Sequence, residues 1–432
     1  MNHGRSPITC ERALELILQD ARPLGTELLG LHEIDRRAAA VPVAARRPLP
    51  AWDNSAKDGY AVALADFLPA GSTTLPVAGE VAAGHPPGTE LVRGTTLRIM
   101  TGAPIPGGAD AVVPVEDTAG GAGRGGFTRV GQPVTFLRTP VSGANVRPFG
   151  ADLRPGDLVL ERGQEISPGA IALLAAVGEA AAEVHRRPSV ALIATGDELV
   201  PPGEEAPPGK LYSSNAPGLA ALVRRAGGTP RIEPIVTDDP ARLRAALGRA
   251  LESNDVVVTS GGVSAGEHDY VRGAIDEAAG GLVFWKVLMR PGQPLVFARR
   301  PGSGEMPARY LFGLPGNPTS ALVTFLEFVR PLLRRLGGFS GLFLPVIGVR
   351  LAEAVDSEPG RRSFLRVRLE RGSDGTLQAR LAGPQGSGLL RPLARAHGLL
   401  ISGPERTHHA AGDLANVQVF DPLPEPGRAF ET

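Results

Sequence analysis

Residues 255–279 read DVVVTSGGVSAGEHDYVRGAIDEAA, and this stretch sets the architecture of the middle of the chain. Its β-branched run predicts a buried strand over 255–260, the small residues after it predict a tight loop, and the apolar spacing predicts a helix over 270–279. The succession repeats on both sides, with strands predicted over 190–195, 231–236, 283–288, 295–298 and 310–314 and helices over 216–226, 240–253 and 319–336. Apolar strands that alternate with helices of this length indicate a parallel sheet covered on both faces.

Outside this region the pattern changes to short strands separated by turn residues, which indicates β-rich domains. A helix is predicted over 10–18, and a chain of 432 residues is long enough for about two to four domains. We therefore predict the fold class α/β plus β, divided into an N-terminal region over 1–186 that includes a β-rich subdomain at about 47–143, an α/β domain over 187–338 and a small C-terminal β domain over 339–432.

The composition excludes several classes of protein. Lys plus Arg and Asp plus Glu both number 45, so no net charge favours nucleic acid or an acidic membrane as the partner. The single cysteine, Cys10, excludes a disulfide within the chain and a cysteine-rich metal site. No apolar run approaches the roughly 20 residues of a membrane helix, and residues 1–11 lack the apolar core of a signal peptide. We therefore expect a cytoplasmic location.

Three strand-to-helix loops carry the first candidate site residues. Ligands of open α/β sheets bind at the carboxyl ends of the strands, so we expect the three loops at one edge of the sheet. The first loop, TGDEL at 195–199, offers Glu198 to a hard cation such as Mg²⁺, with a solvated acidic turn as the alternative.

The second loop, TSGGVSAGEHDY at 259–270, predicts a phosphate site. Glycines allow the backbone to approach a ligand, and free N–H groups at a helix start favour phosphate. Asp269 either caps the helix that follows or helps to hold a metal near the phosphate. The candidate phosphate-binding residues are Ser260, Gly261, Gly262 and Ser264.

The third loop, GLPGNPTSA at 313–321, predicts a rigid oxyanion cradle, although an ordinary capped helix start is equally compatible. Pro315 and Pro318 stiffen the loop, and Asn317 and Ser320 supply donors. Just upstream, FWKVLMRPGQP at 284–294 contains two cations, Lys286 and Arg290. They are four residues apart, so an extended strand places them on one side, where they suit a multiply charged ligand. Ordinary surface charges are the alternative.

The N-terminal motif DNSAKDGYAV at 53–62 consists of turn formers before a strand, so a turn is the simplest interpretation. Asp58 is alternatively a base or a metal ligand. Further turn-rich stretches occur at 100–110 and 145–152. The adjacent His408 and His409 lie on opposite faces of a strand, and we assign them no metal.

Taken in chain order, these motifs resemble one family, the MoeA proteins together with the E domain of gephyrin. The resemblance covers about residues 10–425, and its matching pieces are DNSAKDGYAV (53–62), RIMTGAPIPGGADAVVPVEDT (98–118), RPFGADLRPGD (147–157), TGDELV (195–200), SNAPGL (214–219), TSGGVSAGEHDY (259–270), FWKVLMRPGQP (284–294) and GLPGNPTSA (313–321).

The resemblance implies a molybdopterin molybdotransferase that works in molybdenum cofactor biosynthesis. Such an enzyme accepts adenylylated molybdopterin from a partner, the molybdopterin adenylyltransferase, and binds molybdate. It then releases molybdenum cofactor and AMP in a step that depends on Mg²⁺. The resemblance also implies a homodimer of elongated subunits, with the active site at the subunit interface and a MogA-like α/β domain.

Site residues follow from the resemblance position by position. It implies catalytic roles for Asp58, Asp152, Asp238, Asp269 and Lys286, and metal ligands among Glu198, Asp238 and Asp269. Beside the phosphate loop, the residues that it implies for substrate binding are Thr101, Arg147, Arg290, Pro315, Asn317, Pro318, Ser320, Arg361 and Ser387. In this hypothesis the partner subunit supplies Asp58.

The chain departs from the family pattern at three positions. Arg290 stands where Lys is usual, and a planar guanidinium donates differently from a point-like ammonium. Lys57 stands where Met is usual, and Ser363 replaces an acidic residue. Two other functions stay open: a molybdopterin adenylyltransferase, against which the additional N- and C-terminal regions argue, and a non-catalytic scaffold, which needs long linkers that this sequence lacks.

Overall fold

The structure is a computed structural model that describes residues 6–69, 71–84, 86, 88–119, 126–263, 270–302, 307–372 and 375–421. The predicted site residues Ser264 and Asp269 lie outside the described residues. Within the described ranges, no helix has the length and apolar character needed to cross a membrane.

The N-terminal region begins with helix α1 (Cys10–Leu18), whose first turn is capped by the Thr9 side chain. The elements that follow are β1 (Thr26–Gly30), β2 (Val43–Ala44), β3 (Asn54–Ser55), β4 (Gly59–Val62), β5 (Thr73–Val81), β6 (Thr96–Ile99), β7 (Ala111–Pro114), β8 (Pro133–Phe136), β9 (Val146–Arg147), β10 (Leu158–Leu160), α2 (Pro168–Ala176) and β11 (Ala181–His185).

These strands form one larger sheet and several two-stranded ribbons. The sheet has the order β7-β4-β6-β5-β8 and lies within the predicted β-rich subdomain. Tyr60 and Phe136, both fully buried, pack edge to face in its core with ring centroids 5.8 Å apart. The ribbons pair β1 with β11, β2 with β10 and β3 with β9.

The middle region alternates strands and helices as the sequence predicts. Its elements are β12 (Ser189–Ala194), β13 (Leu199–Val200), β14 (Leu211–Tyr212), α3 (Asn215–Arg225), β15 (Thr229–Ile232), α4 (Pro240–Ser253), β16 (Val256–Ser260), α5 (Tyr270–Ala279), β17 (Leu282–Trp285), β18 (Met289–Arg290), β19 (Val296–Arg300), β20 (Arg309–Leu314), α6 (Pro318–Thr324) and α7 (Arg330–Leu336).

The central sheet has the order β15-β12-β16-β20-β19-β17. Helices α1, α3, α6 and α7 cover one face, and α4 and α5 cover the other. Strands β15, β12, β16 and β20 are parallel, but β19 is antiparallel to β20, and β17 is antiparallel to β19. The predicted parallel sheet is therefore confirmed for four strands, and the edge formed by β19 and β17 is antiparallel. The connections 286–295 and 301–308 are shorter than the dozen or more residues that a parallel crossover needs.

The helix predicted over 319–336 is continuous but contains a π-helical segment, Phe325–Val329, between α6 and α7. Pro331 follows this segment and has no N–H with which to make an α-helical hydrogen bond. A π segment changes the side-chain register, which the 3.6-residue period of the sequence does not reveal.

The C-terminal region forms a sheet that includes one strand from the middle region. Its elements are β21 (Val346–Leu351), β22 (Val355–Asp356), β23 (Arg362–Arg371), β24 (Leu377–Leu381), α8 (Leu390–Ala394), β25 (Gly398–Ser402), β26 (His408–His409) and β27 (Leu414–Val419). The sheet order is β18-β23-β24-β21-β27-β25, with β23 also pairing with β25. The β18–β23 pair holds the two regions together beside the site.

Candidate functional site

A cavity of about 750 Å³ lies at the carboxyl ends of β12, β16 and β20. All three predicted loops line it, which confirms that they meet at one edge of the central sheet. The predicted site residues that contribute to its wall are Glu198, Ser260, Gly261, Gly262, Pro315, Asn317 and Pro318.

The two glycines of the second loop are required by the backbone. Gly261 has a φ of +112°, and a Cβ there would lie 2.5 Å from the Thr195 carbonyl oxygen. Gly262 has a φ of +61°, and its Cβ would lie 2.4 Å from a methyl group of Val271. This loop can therefore pack against Thr195 and Val271 only without side chains at these two positions, and the absence of side chains allows a ligand to approach its backbone closely. The Gly261 N–H itself donates to the Leu314 carbonyl at 3.2 Å, which fixes the loop beside β20.

Asn215 lines the larger cavity, although no sequence motif predicted a role for it. Its side-chain amide donates to Ser260 Oγ at 2.6 Å and to the Gly316 carbonyl at 2.8 Å, and thereby links the second and third loops. The Asn215 Oδ1 and Ser213 Oγ atoms are buried without a hydrogen-bond partner, and both residues line the cavity. The motif SNAPGL at 214–219 could have indicated this role, because it places an asparagine at the start of the helix that follows the first loop.

A second cavity of about 300 Å³ adjoins the first and shares Pro294, Pro315 and Asn317 with it. It lies where the middle region meets the C-terminal sheet. Six predicted site residues from four separate parts of the sequence meet in its wall: Arg290, Pro315, Asn317, Ser320, Arg361 and Ser387.

The smaller cavity is positively charged. Its described lining includes the guanidinium groups of Arg290 and Arg361 and contains no carboxylate. Arg290 forms an ion pair with Glu358, which does not belong to the lining. The hydroxyl groups of Ser320 and Ser387 add donors to the wall, whereas the Gln385 side-chain amide, also in the wall, donates to the Arg366 and Gly383 carbonyls. Two cations and several neutral donors in this volume suit a small oxyanion.

Hydrogen bonds hold the third loop against the C-terminal region. The Asn317 side-chain amide donates to Ser387 Oγ at 3.1 Å, and the Thr319 N–H donates to the Ser387 carbonyl, also at 3.1 Å. The Thr319 hydroxyl donates to the Leu389 carbonyl at 3.0 Å. The small cavity therefore exists only while these two regions stay docked.

Lys286 does not share a face with Arg290, so that prediction was wrong. Strand β17 ends at Trp285, and Lys286 has a φ of +75°, so the extended geometry behind the prediction is interrupted. The Lys286 ammonium lies 4.0 Å from the centre of the Trp285 ring, where it makes a cation–π contact. Lys286 does not line either cavity.

The carboxylates predicted to bind a metal are spread out. Glu198 lines the larger cavity, whereas Asp238 does not and instead accepts a hydrogen bond from the Asp197 N–H at 3.3 Å. Within the described ranges, no group of three or more His, Cys, Asp or Glu side chains is placed to hold a metal ion. Mg²⁺ commonly uses only one or two carboxylates together with substrate phosphates, and Glu198 is the described carboxylate of the predicted set that lines the larger cavity.

The predicted N-terminal site residues form a separate, exposed cluster. Asp58 Oδ1 accepts hydrogen bonds from the Thr101 N–H at 2.7 Å and from the Thr101 hydroxyl at 2.8 Å. Both hydrogen bonds lower the pKa of Asp58, and the bond from the Thr101 N–H has the larger effect. At neutral pH this carboxylate is therefore ionised and suits a hydrogen-bond or metal-ligand role better than proton abstraction.

Strand pairing brings the N-terminal motifs together. In the β3–β9 ribbon, Asn54 pairs with Arg147, and the Asp152 N–H donates to the Leu49 carbonyl nearby. Neither cavity is lined by Asp58, Thr101, Arg147 or Asp152. Within one subunit, therefore, the structure does not bring this cluster to the cavities.

Three family models match the chain in order: the MoeA N-terminal region (domains I and II) over residues 8–178, the probable molybdopterin binding domain over 191–335 and the MoeA C-terminal region (domain IV) over 348–420.

Individual relatives agree with these matches. The chain is 33% identical over 422 residues to a molybdopterin molybdenumtransferase from Haemophilus influenzae, and the alignment covers 96% of this chain and 99% of that one. It is 39% identical over 387 residues to molybdopterin molybdenumtransferase 2 from Mycobacterium tuberculosis, with coverage of 88% and 91%. A crystal structure of the molybdopterin biosynthesis MoeA protein from Pyrococcus horikoshii has a TM-score of 0.78 at 27% identity and covers 96% of this chain and 100% of that one.

Proposed function

The chain belongs to the MoeA family, and we propose that it inserts molybdenum into molybdopterin during molybdenum cofactor biosynthesis. The observation that carries this proposal is the junction of the two cavities at Pro294, Pro315 and Asn317. A large cavity with a phosphate loop adjoins a small cationic one, so a pterin phosphate and an oxyanion can be held side by side.

The larger cavity suits adenylylated molybdopterin. The backbone at Gly261 and Gly262 carries no side chain and lets a phosphate approach closely, and the exposed side chains of Leu211 and Tyr212 offer apolar surface to the planar rings of the substrate. Within this proposal the nucleotide leaves as AMP after water cleaves the phosphoanhydride bond. The upstream partner is then the molybdopterin adenylyltransferase that makes the substrate.

The smaller cavity suits molybdate, a tetrahedral dianion. Arg290 and Arg361 neutralise its charge, and Ser320 and Ser387 donate hydrogen bonds to its oxygens. In a balanced insertion step, the two dithiolene thiols pass their protons to one oxide of molybdate, which leaves as water. The product keeps the 2− charge, so the same arginines stabilise the reactant and the product.

We extend the proposal to Mg²⁺, with Glu198 as the described carboxylate that would hold the ion. When bound, Mg²⁺ supplies charge neutralisation at the phosphoanhydride. The chain's own contribution is positional: Asn215 fixes the spacing of the phosphate loop and the third loop, and the docked C-terminal region closes the oxyanion cavity.

The proposal also includes a cytoplasmic homodimer in which the partner subunit supplies the exposed Asp58 cluster to the cleft. Its support is that Asp58 is hydrogen bonded to Thr101, that Arg147 lies on the β3–β9 ribbon of the same region, and that none of Asp58, Thr101, Arg147 and Asp152 lines the cavities of its own subunit.

The test is an insertion assay with the purified full chain, adenylylated molybdopterin, Mg²⁺ and molybdate. We expect AMP release together with reconstitution of a cofactor-free molybdoenzyme, both dependent on molybdate. If the pterin substrate binds but no active cofactor forms, the proposal fails. If the protein instead makes adenylylated molybdopterin from ATP and molybdopterin, it is an adenylyltransferase.

A further inference from the structure

Arg366 is the largest fully buried side chain among the described residues, with 1% of its surface exposed. It lies on β23 and makes four hydrogen bonds through its guanidinium group. Nη1 donates to Thr319 Oγ1 at 3.0 Å and to the Gly386 carbonyl at 2.9 Å. Nη2 donates to the Pro384 carbonyl at 3.1 Å, and Nε donates to Gln385 Oε1 at 3.2 Å. All four acceptors are neutral.

The other buried arginines are paired differently. Arg37 forms an ion pair with Glu27, and Arg334 forms one with Glu165 at 2.7 Å. Within the described part of the chain, no carboxylate pairs with Arg366, and burial lowers the pKa of its guanidinium. Burying an unpaired charge is costly, so such a charge is expected to serve an anion that the chain itself does not provide.

The contacts of Arg366 lead directly to the smaller cavity. Gln385 lines this cavity, Gly386 immediately precedes the lining residue Ser387, and Thr319 immediately precedes Ser320. One guanidinium group thus holds the 384–387 loop of the C-terminal region and the start of α6 at the same time. Since the wall of the cavity comes from both of these segments, their spacing depends on Arg366.

We propose that Arg366 is a positioning residue for the oxyanion substrate, fixing Ser320 and Ser387 at the spacing of a tetrahedral dianion and adding a buried positive charge behind them. The inference rests on the proposed function, because it takes molybdate as the occupant of the smaller cavity. Arg366 does not line this cavity, so it acts through its neighbours.

The test compares the full-length wild type with Arg366→Met, Arg366→Lys and the control Arg368→Met, which alters an exposed arginine on the same strand. Molybdate binding is measured by equilibrium dialysis, and adenylylated molybdopterin binding is measured separately. We expect Arg366→Met to weaken molybdate binding about tenfold while changing pterin binding by less than about twofold. Arg366→Lys keeps the positive charge but not the planar guanidinium with its several donors, so we expect a smaller decrease in molybdate affinity.

Melting curves identify the folded variants. If Arg366→Met does not fold, Arg366→Lys provides the test. We expect its affinity for molybdate to fall about threefold and its affinity for the pterin substrate to stay the same. The proposal is overturned if folded Arg366 variants bind molybdate as Arg368→Met does, if they lose both ligands equally, or if the wild type binds no molybdate. If the wild type binds molybdate but does not insert it, the proposed function is contradicted. The comparison of molybdate binding by the Arg366 and Arg368 variants then still tests the role of Arg366.

Discussion

Arg290 and Ser363 are register partners in the parallel pair of β18 and β23, which joins the α/β domain to the C-terminal sheet. These are two of the three positions at which the sequence departs from the pattern of its family. Ser363 is 1% exposed, and its hydroxyl has no hydrogen-bond partner, while the Arg290 guanidinium reaches Glu358 instead. The carboxylate that faces Arg290 therefore comes from a neighbouring loop rather than from the paired strand.

This ion pair gives the first prediction. Glu358 competes with an oxyanion for Arg290, so Glu358→Gln is expected to lower the half-saturating molybdate concentration. Both side chains are about half exposed, so the effect should be only about two- to fivefold. Steady-state insertion rates against molybdate concentration measure it, with Glu353→Gln, which alters a carboxylate on a different loop, as the control. An unchanged or higher half-saturation value would contradict the role assigned to Arg290.

The phosphate loop gives the second prediction. Gly261→Ala forces a Cβ to 2.5 Å from the Thr195 carbonyl at a positive φ, so the loop must move. We expect loss of adenylylated molybdopterin binding and destabilisation by at least about 1 kcal/mol. Gly248→Ala is the matched control, since its Cβ meets nothing within 4 Å in the middle of α4. Calorimetric melting measures the stability of both variants, and binding isotherms measure their affinity for adenylylated molybdopterin. Normal pterin binding by a folded Gly261→Ala variant would rule out a close approach of the substrate phosphate to the Gly261 backbone.

The third prediction concerns which subunit of the dimer supplies Asp58 to a given cleft. If the partner supplies it, mixing inactive Asp58→Ala subunits with inactive Arg361→Met subunits creates heterodimers with one intact cleft. Random exchange then restores about one quarter of wild-type activity, because half of the dimers are mixed and each has one working site of two. Activity that stays at background after proven subunit exchange would place both residues in the same cleft of one chain.

The fourth prediction is a pH dependence of stability that arises from Glu327 in the π-helical segment. Burial raises the pKa of this carboxyl to about 7, against an ordinary value of 4.5, and its Oε1 has no hydrogen-bond partner. The folded state thus holds the proton more tightly than the unfolded state. The ionised carboxylate costs stability progressively between pH 4.5 and about pH 7, and in full above that.

Glu327→Gln removes this cost. At pH 8 we expect it to be more stable than the wild type by an amount on the order of 3 kcal/mol, and the difference should vanish near pH 4.5. Denaturant unfolding at both pH values measures the difference. Equal stability at pH 8 would show that water or Arg362 already compensates the carboxylate.

The sequence predicted the alternation of strands and helices closely, because apolar periodicity reports burial directly. Helices α4 and α5 coincide with the predictions for 240–253 and 270–279. It also predicted that three loops share a sheet edge, since that follows from parallel connections. The antiparallel β17–β19 edge and the π-helical segment depend on connection length and on Pro331, which periodicity does not reveal.

The smaller cavity was beyond local sequence reasoning, because its walls come from two domains. Arg361 and Ser387 were named only through the family resemblance, and Gln385 was not named. Lys286 was misplaced because one residue with positive φ interrupts the strand. Arg366 was also missed, since a buried arginine without a carboxylate looks like any strand arginine until its partners at Thr319 and Gly386 are seen.

The position of molybdate in a crystal of this protein tests directly whether the smaller cavity binds the oxyanion. Crystals soaked in molybdate would be measured on both sides of the molybdenum absorption edge. We expect an anomalous peak in the smaller cavity, within hydrogen-bond distance of Arg290, Arg361 and Ser387. A peak located only elsewhere, or no peak there at saturating molybdate, would contradict it.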